Sequence, residues 1–197
     1  MKKLADCFNT ILHPSEGQLR EKGSRFFGFA YRIQNAAEVK LFVAHLQQQF
    51  PDATHHCYAW LLSEDEWRAF DDGEPHHSAG TPILRAIQSC QLEEVLVVVV
   101  RYFGGKQLGV PGLIEAYKNC ALETLKNATL VTETRMATLE IEFPFEKENQ
   151  VYHALKQLPV KFQTLYLNDK IKLTIKYPLS EEQFVKKWIQ KELWWSK

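Results

Sequence analysis

A short acidic turn, Asp71-Asp72-Gly73-Glu74, holds a dense group of titratable side chains, and His76 and His77 follow it. Carboxylate oxygens and imidazole nitrogens are ligands for divalent cations, and a bound cation would relieve the repulsion between adjacent carboxylates. One alternative is a turn in which aspartate side chains accept backbone N–H groups and Gly73 supplies a positive φ. Another is a bidentate ion pair between one carboxylate and Arg101 or Arg25. Acidic turns are common on protein surfaces, so the turn and the ion pair are favoured over the metal site.

A second cluster follows the apolar run of residues 97–100 and consists of Arg101, Tyr102, Phe103, Gly104, Gly105 and Lys106. Successive glycine N–H groups can form a nest for an anion, and the two cations can add charge to it. The aromatic rings can stack on bases, as they do in proteins that bind single-stranded nucleic acid. The pattern GxxxxGK[ST] is absent, so this is not a Walker loop. We predict ligand or RNA binding here, and a purely structural strand-to-helix connection is the alternative.

A third candidate group is His55-His56-Cys57, which falls on a predicted strand. Alternation along a strand sends His55 and Cys57 to one face and His56 to the other, so three ligands do not converge. The apolar residues that follow Cys57 predict a buried thiol rather than an exposed nucleophile. We predict that one histidine, taken as His56, lines the same cleft as Asp72 and Arg101.

The elements around these groups follow from hydrophobic periodicity and from capping residues. Alternation predicts strands over 25–33 and 55–62, and helical spacing predicts a helix after Asn35. Residues 63–80 are polar and are predicted to form a loop. Thr81-Pro82 is typical of a helix start, and the helix is expected to run to about Cys90. A buried strand over 94–101 and a helix from 111 or 112 to 127 complete this part of the chain.

The pattern restarts after about residue 130, which we predict to be a domain boundary. A strand at 137–143, a helix at 146–158, strands at 161–167 and 170–177, and a helix at 180–194 follow in order. This β-α-β-β-α order is most of a ferredoxin-like fold. A final strand is not evident, so the sheet is expected to have only three strands. The sequence therefore predicts an α+β protein with domains at 1–130 and 131–197.

Composition excludes several classes of protein. The 24 basic and 24 acidic residues cancel, so there is no global signature of nucleic-acid binding. The four cysteines form no CxxC pair and favour reduced thiols over a disulfide framework or a zinc site. No apolar stretch is long enough for a membrane span, and the N-terminus lacks the apolar core of a signal peptide. We expect a cytoplasmic protein with no membrane contact.

Five linked motifs resemble the IMPACT family, whose bacterial members are called YigZ-like. They are KGSRF from Lys22, DATHHCYA from Asp52, DDGEP from Asp71, VVVVRYFGGKQLG from Val97, and GLIEAY from Gly112. The resemblance implies an N-terminal domain similar to ribosomal protein S5 domain 2 and to domain IV of elongation factor G. It also implies a ferredoxin-like second domain similar to domain V of that factor. Because the family keeps the KxSRF motif together with RYFGG, Arg25 is expected to join the cleft.

The sequence departs from the family pattern at several positions. His76 and His77 stand where the family usually has small residues, and they could narrow the cleft or make it sensitive to pH. Pro111 replaces a frequent glycine and stiffens the loop. Glu115 replaces a usual basic residue and removes one candidate phosphate contact. Each change counts against a phosphate-binding mechanism shared with the family.

The resemblance implies a non-enzymatic, translation-associated protein. Its eukaryotic members modulate the starvation response that controls translation initiation, through an additional N-terminal domain that we do not expect in this chain. We predict that the cleft formed by residues 71–80 and 101–112 binds RNA or a ribosome-associated partner, with no cofactor, no metal and no catalytic residue. The oligomeric state stays open. The alternative is a metal-dependent hydrolase or phosphotransferase that uses Asp71, Asp72 and Glu74.

Overall fold

The computed structural model describes residues 6–192, which contain strands, α-helices and two short 3-10 helices. The strands are β1 (Cys7–Ile11), β2 (Ser15–Glu21), β3 (Ser24–Arg32), β4 (His55–Ser63), β5 (Glu66–Phe70), β6 (Val95–Tyr102), β7 (Leu130–Thr134), β8 (Met136–Phe143), β9 (Lys161–Tyr166) and β10 (Ile171–Pro178). The helices are α1 (Ala36–Gln49), α2 (Gly80–Ser89), α3 (Gly109–Lys126), α4 (Glu148–Leu155) and α5 (Glu182–Glu192), and the 3-10 helices are Phe145–Lys147 and Leu179–Glu181. No helix within residues 6–192 has the length and apolarity that a membrane crossing needs.

The described chain divides into two compact units. One unit is residues 9–132, and the other contains residues 6–8 and 133–192. Strands β1 and β7 pair in a small two-stranded sheet. The mixture of helices and sheets in two units confirms the predicted α+β class.

The first unit is built on a five-stranded antiparallel sheet with the strand order β2-β3-β6-β4-β5. The central strand β6 is buried along nearly its whole length because helices cover both faces of the sheet. Helices α2 and α3 pack on the face that carries Phe26, Cys57 and Val99, which we call face A. Helix α1 packs on the opposite face, face B, which carries Phe29 and Val100. The β-branched run of residues 97–100 therefore supplies apolar side chains to two cores at once.

The second unit has the chain order β8-α4-β9-β10-α5 and a three-stranded antiparallel sheet with the order β8-β10-β9. One face of β10, which carries Ile171, Leu173, Ile175 and Tyr177, packs against Val151 and Val185 of the two helices. The described sheet has three strands, as the sequence predicts. The predicted helix over 180–194 extends beyond the described residues at its end.

The structure corrects the predicted elements in three ways. Residues 66–70 form the edge strand β5, although the polar composition of residues 63–80 predicted only a loop. Helix α2 begins at Gly80, so its N-cap residue is Ala79 and not Thr81 as predicted. The Ala79 side chain makes no capping hydrogen bond. Strands β1, β2 and β7 were not predicted at all.

Two glycines allow α3 to lie close against the sheet. Gly17 and Gly28 are opposite each other on β2 and β3, and a Cβ at either position would overlap Thr124 of α3. We expect Gly28→Ala to lower the free energy of unfolding by about 1–3 kcal/mol, as overpacking does. In a Thr124→Ala background the loss should be smaller, because the overlapping hydroxyl is gone. Urea denaturation of the four proteins tests this, and an equal loss in both backgrounds would contradict it.

Candidate functional site

The carboxylate of Glu74 is the centre of a buried polar network on face A. Arg101 Nη1 donates to Glu74 Oε1 at 2.5 Å, and the Tyr117 hydroxyl donates to the same oxygen at 2.6 Å. His55 Nε2 lies 3.8 Å from this oxygen, and its Nδ1 donates to the Asp72 carbonyl at 2.7 Å. The network thus joins the acidic turn to β4, β6 and α3. It matches the predicted ion pair between a carboxylate of the turn and Arg101.

Aromatic rings and one hydroxyl complete the surroundings of Arg101. Its guanidinium carbon lies 5.5 Å from the centroid of the Phe26 ring and 5.7 Å from that of Phe103. Its Nη2 also lies 3.4 Å from the Ser24 hydroxyl oxygen. The side chain is almost fully buried, and its charge is compensated by Glu74. Arg101 is therefore held for structure and is poorly placed to meet the phosphate of an RNA.

The carboxylates of Asp71 and Asp72 bind backbone amides. Asp71 Oδ1 accepts from the N–H groups of Ala79 and Gly80 at 3.1 and 2.8 Å, and its Oδ2 accepts from the His77 N–H at 2.9 Å. Asp71 therefore satisfies two of the free N–H groups at the start of α2, those of Ala79 and Gly80. Asp72 Oδ2 accepts from the backbone N–H of His56 at 2.7 Å.

The three carboxylates of the acidic turn have separate partners, so they do not converge on one cation, as a hydrolase that used all three as ligands would need. Within residues 6–192 the one group of three potential ligands with atoms in mutual reach is Asp71, His76 and His77. The backbone supports the turn, since Asp72 and Gly73 have φ values of 44° and 84°. The predicted turn with aspartates bound to backbone N–H groups is the arrangement that the structure has.

Cys57 and Tyr117 extend the network into the core of face A. Cys57 Sγ lies 3.0 Å from the carbonyl oxygen of Asp71 and 3.4 Å from the Tyr117 hydroxyl oxygen. Burial raises the pKa of both groups well above their usual range, and neighbouring acidic groups raise them further. The thiol therefore stays neutral near pH 7 and is a weak nucleophile, as the sequence predicts.

The glycine corner after β6 borders a cleft of about 370 Å³. The cleft is lined by Glu74, Arg101 and Phe103 together with residues 107–110. Gly104 passes so close to Gly23 that a Cβ would overlap the Gly23 backbone, whereas Gly105 has open space and a φ of 82°. Gly104 is thus required by the close approach of two loops. Gly105 and Lys106 are exposed at the rim.

Three of the candidate site residues do not lie with Arg101. Arg25, Tyr102 and His56 belong to face B. Arg25 and Tyr102 are paired and lie two residues from Phe27 and Val100, which face that side, and His56 is paired with Val100. His56 is buried there, and burial lowers its pKa. The expectation that His56 and Arg25 line the cleft of Arg101 is therefore wrong. The histidine at Glu74 is His55, as the alternation of residues along β4 allows.

Arg20 is a candidate that the sequence reasoning did not find. It lies on β2 directly opposite Arg25 on β3, and Arg25 lies directly opposite Tyr102 on β6. The three side chains therefore form a row across face B, which we call the arginine row. The feature of the sequence that could have revealed this pair is the dipeptide Lys22-Gly23. A two-residue turn there forms a hairpin in which residue 20 lies opposite residue 25. Strand β2 was not predicted, so this pairing could not be inferred.

The buried network gives a stability prediction. Glu74→Gln leaves the Arg101 charge buried without a counter-charge, which should cost about 3–5 kcal/mol of the free energy of unfolding. Tyr117→Phe removes the bond to Glu74 and the weaker contact with Cys57 but keeps the ion pair, so it should cost about 0.5–1.5 kcal/mol. Urea denaturation at pH 7 measures both. Equal losses in the two variants would show that the ion pair is not the dominant interaction.

Comparisons with known proteins identify the family of the chain. The model of the Impact N-terminal domain matches residues 22–125. An IMPACT family member from Thermus thermophilus, named for the pol 5′ region, is 34% identical over 155 residues, covering 79% of this chain and 84% of that protein. The IMPACT family member YvyE of Bacillus subtilis is 26% identical over 182 residues, covering 91% and 84% of the two chains.

A solved structure agrees with these matches. The crystal structure of a protein described only as hypothetical superposes with a TM-score of 0.74 at 27% identity, and the match covers 95% of this chain and 93% of that one. Its similarity includes both units, since it extends over nearly the whole described chain. The domain match and the similarity to the Thermus protein show that this chain belongs to the IMPACT family.

Proposed function

We propose that this chain is a translation-associated protein that binds single-stranded RNA through the arginine row and the loops beside it. The observation that supports this most directly is the pairing of Arg20 with Arg25 on adjacent strands. Like charges directly opposite each other destabilise a sheet. Within residues 6–192 neither guanidinium is paired with a carboxylate, and both side chains are exposed. A phosphate group placed between them would convert this repulsion into a favourable interaction.

Aromatic side chains stand next to the arginines. The guanidinium carbon of Arg25 lies 5.0 Å from the centroid of the Tyr102 ring. Phe27 packs edge-on against Tyr102, with ring centroids 6.1 Å apart, and both rings are half-buried. The exposed parts of aromatic rings beside cations can serve as a platform for unstacked bases. This part of face B therefore offers stacking surfaces and phosphate contacts within one short row.

The loops at this end of the sheet add further positive charge. Lys22 lies in the turn between β2 and β3, and Lys106 lies in the loop after β6; both are exposed. The close approach of Gly104 to Gly23 brings these two loops together. Phe103, with 49% of its surface exposed, lies in the same loop as Lys106. Because the whole chain has no net charge, the attraction for RNA must come from this local group of cations. Binding through phosphate contacts should weaken as the salt concentration rises.

The association with translation rests on the family rather than on the geometry. Membership of the IMPACT family and the expected likeness of the two domains to elongation-factor domains IV and V support a protein that meets ribosomal RNA or a ribosome-bound partner. Likeness of fold does not determine function, so the RNA-binding surface needs a test of its own.

We expect the wild-type chain to bind a fluorescein-labelled oligouridylate of twelve nucleotides, with an affinity that falls as salt rises. Arg20→Gln and Arg25→Gln should each weaken binding and each make the fall of log affinity with log salt shallower by about 0.7, because each removes one phosphate contact with a single strand. Tyr102→Leu should weaken binding by the stacking contribution of one base, about 1–3 kcal/mol. Fluorescence anisotropy at several potassium chloride concentrations measures these changes.

The matched control is Lys118→Gln, because Lys118 is exposed on α3 on the opposite side of the sheet. This variant loses the same charge but should keep the wild-type slope. An equal loss in the control and in Arg25→Gln would mean that only the total charge matters. No binding by the wild type at low salt would overturn the proposal.

A further inference from the structure

We infer that Asp71, His76 and His77 form a site for a divalent transition-metal ion, with Zn²⁺ as the probe. One ligand atom from each of the three residues lies within 4.8 Å of the other two. Small rotations of exposed side chains would bring these atoms to tetrahedral metal–ligand distances of about 2.0–2.2 Å. The site is distinct from the arginine row and does not depend on the proposed RNA binding.

The two imidazoles lie next to each other and to the carboxylate. The ring centroids of His76 and His77 are 3.8 Å apart, and His76 Nδ1 lies 3.7 Å from Asp71 Oδ2. Metal-binding histidines commonly use one ring nitrogen for the metal and the other for an orienting hydrogen bond. His77 Nδ1 lies 3.0 Å from the Thr81 hydroxyl oxygen, which leaves its Nε2 for a metal ion.

The carboxylate is already held in place. Asp71 Oδ1 accepts from the backbone of Ala79 and Gly80, and Oδ2 accepts from the backbone N–H of His77. Each carboxylate oxygen has two lone-pair directions, so Oδ2 can accept one N–H group and still coordinate a cation. One ligand of the proposed site is therefore fixed by the start of α2, and the two imidazoles are the parts that move.

The ligand types favour transition metals. Two imidazoles and one carboxylate suit Zn²⁺, Ni²⁺, Cu²⁺ and Fe²⁺ better than Mg²⁺ or Ca²⁺, which prefer oxygen ligands. The remaining coordination positions would face a cleft of about 640 Å³, whose walls include Trp67, Arg68 and Arg85. The two guanidinium groups oppose a bare dication and favour a site in which an anion or hydroxide completes the coordination. Trp67, with 51% of its surface exposed, is a natural reporter of an ion in this cleft.

The test uses the full chain without an affinity tag. Isothermal titration calorimetry with zinc chloride should give a stoichiometry of one ion per chain. Addition of Co²⁺ should produce the visible absorption bands of a tetrahedral site. His76→Ala and His77→Asn should each weaken Zn²⁺ binding by at least about tenfold, the lower limit even for losing an outer partner of a metal ligand. Asparagine is chosen because His77 has a φ of 62°, which asparagine tolerates. The wild-type and variant melting curves without metal should coincide.

Two controls make the result specific. His45→Ala removes an exposed histidine of α1 and should leave the affinity unchanged. Cys7→Ser removes an exposed thiol that could bind zinc by itself. Quenching of tryptophan fluorescence by Co²⁺ should be lost in Trp67→Phe, which places the ion in the cleft beside Trp67.

Three outcomes would overturn the inference. They are no Zn²⁺ binding by the wild type, binding that survives both His76→Ala and His77→Asn, and binding that is lost only in Cys7→Ser. RNA binding measured on His76→Ala and His77→Asn keeps the two proposals separate. Because these residues lie away from the arginine row, both variants should keep wild-type RNA affinity, so either proposal can fail while the other stands.

Discussion

The structure of the first unit depends on one buried interaction, the contact of the Glu74 carboxylate with Arg101 and Tyr117. A buried charge without a partner is costly, so each of these side chains needs the others in order to be buried. Glu74 comes from the loop after β5, Arg101 from the central strand and Tyr117 from α3. The contact therefore fixes the loop against both the sheet and the helix. The start of α2 and the position of His55 follow from where that loop is held.

Each carboxylate of the acidic turn has a different structural role. Glu74 enters the core, Asp71 supplies hydrogen-bond acceptors to the start of α2, and Asp72 binds the backbone of β4. Such a division explains why a turn so rich in carboxylates does not form an oxygen-lined cation site. It also explains why α2 begins without a cap from its own N-cap residue. The capping group comes from nine residues upstream, where the local sequence gives no sign of it.

Patterns of short range predicted much of this fold, and contacts of long range account for the errors. The apolar run of residues 97–100 predicted the central strand. Asn35 predicted the start of α1, and its side chain accepts hydrogen bonds from the backbone N–H groups of Ala37 and Glu38. The ion pair of Arg101 with the turn was one of the stated alternatives. The faces of Arg25 and His56 were misassigned, because strand alternation gives opposite sides but not which side faces the cleft. Motif resemblance brought these residues into one site, whereas register separates them.

This separation changes where charge can act at the end of the sheet. On face A the guanidinium of Arg101 is paired and buried, so it adds little to the potential outside the protein. On face B, Arg20 and Arg25 stand opposite each other in water, where an unpaired cation keeps its field. A ligand with negative charge therefore gains more from face B, to which the conspicuous RYFGG motif contributes Tyr102 but no charge. The most recognisable motif of the family builds the scaffold, and the neighbouring hairpin offers the free charge.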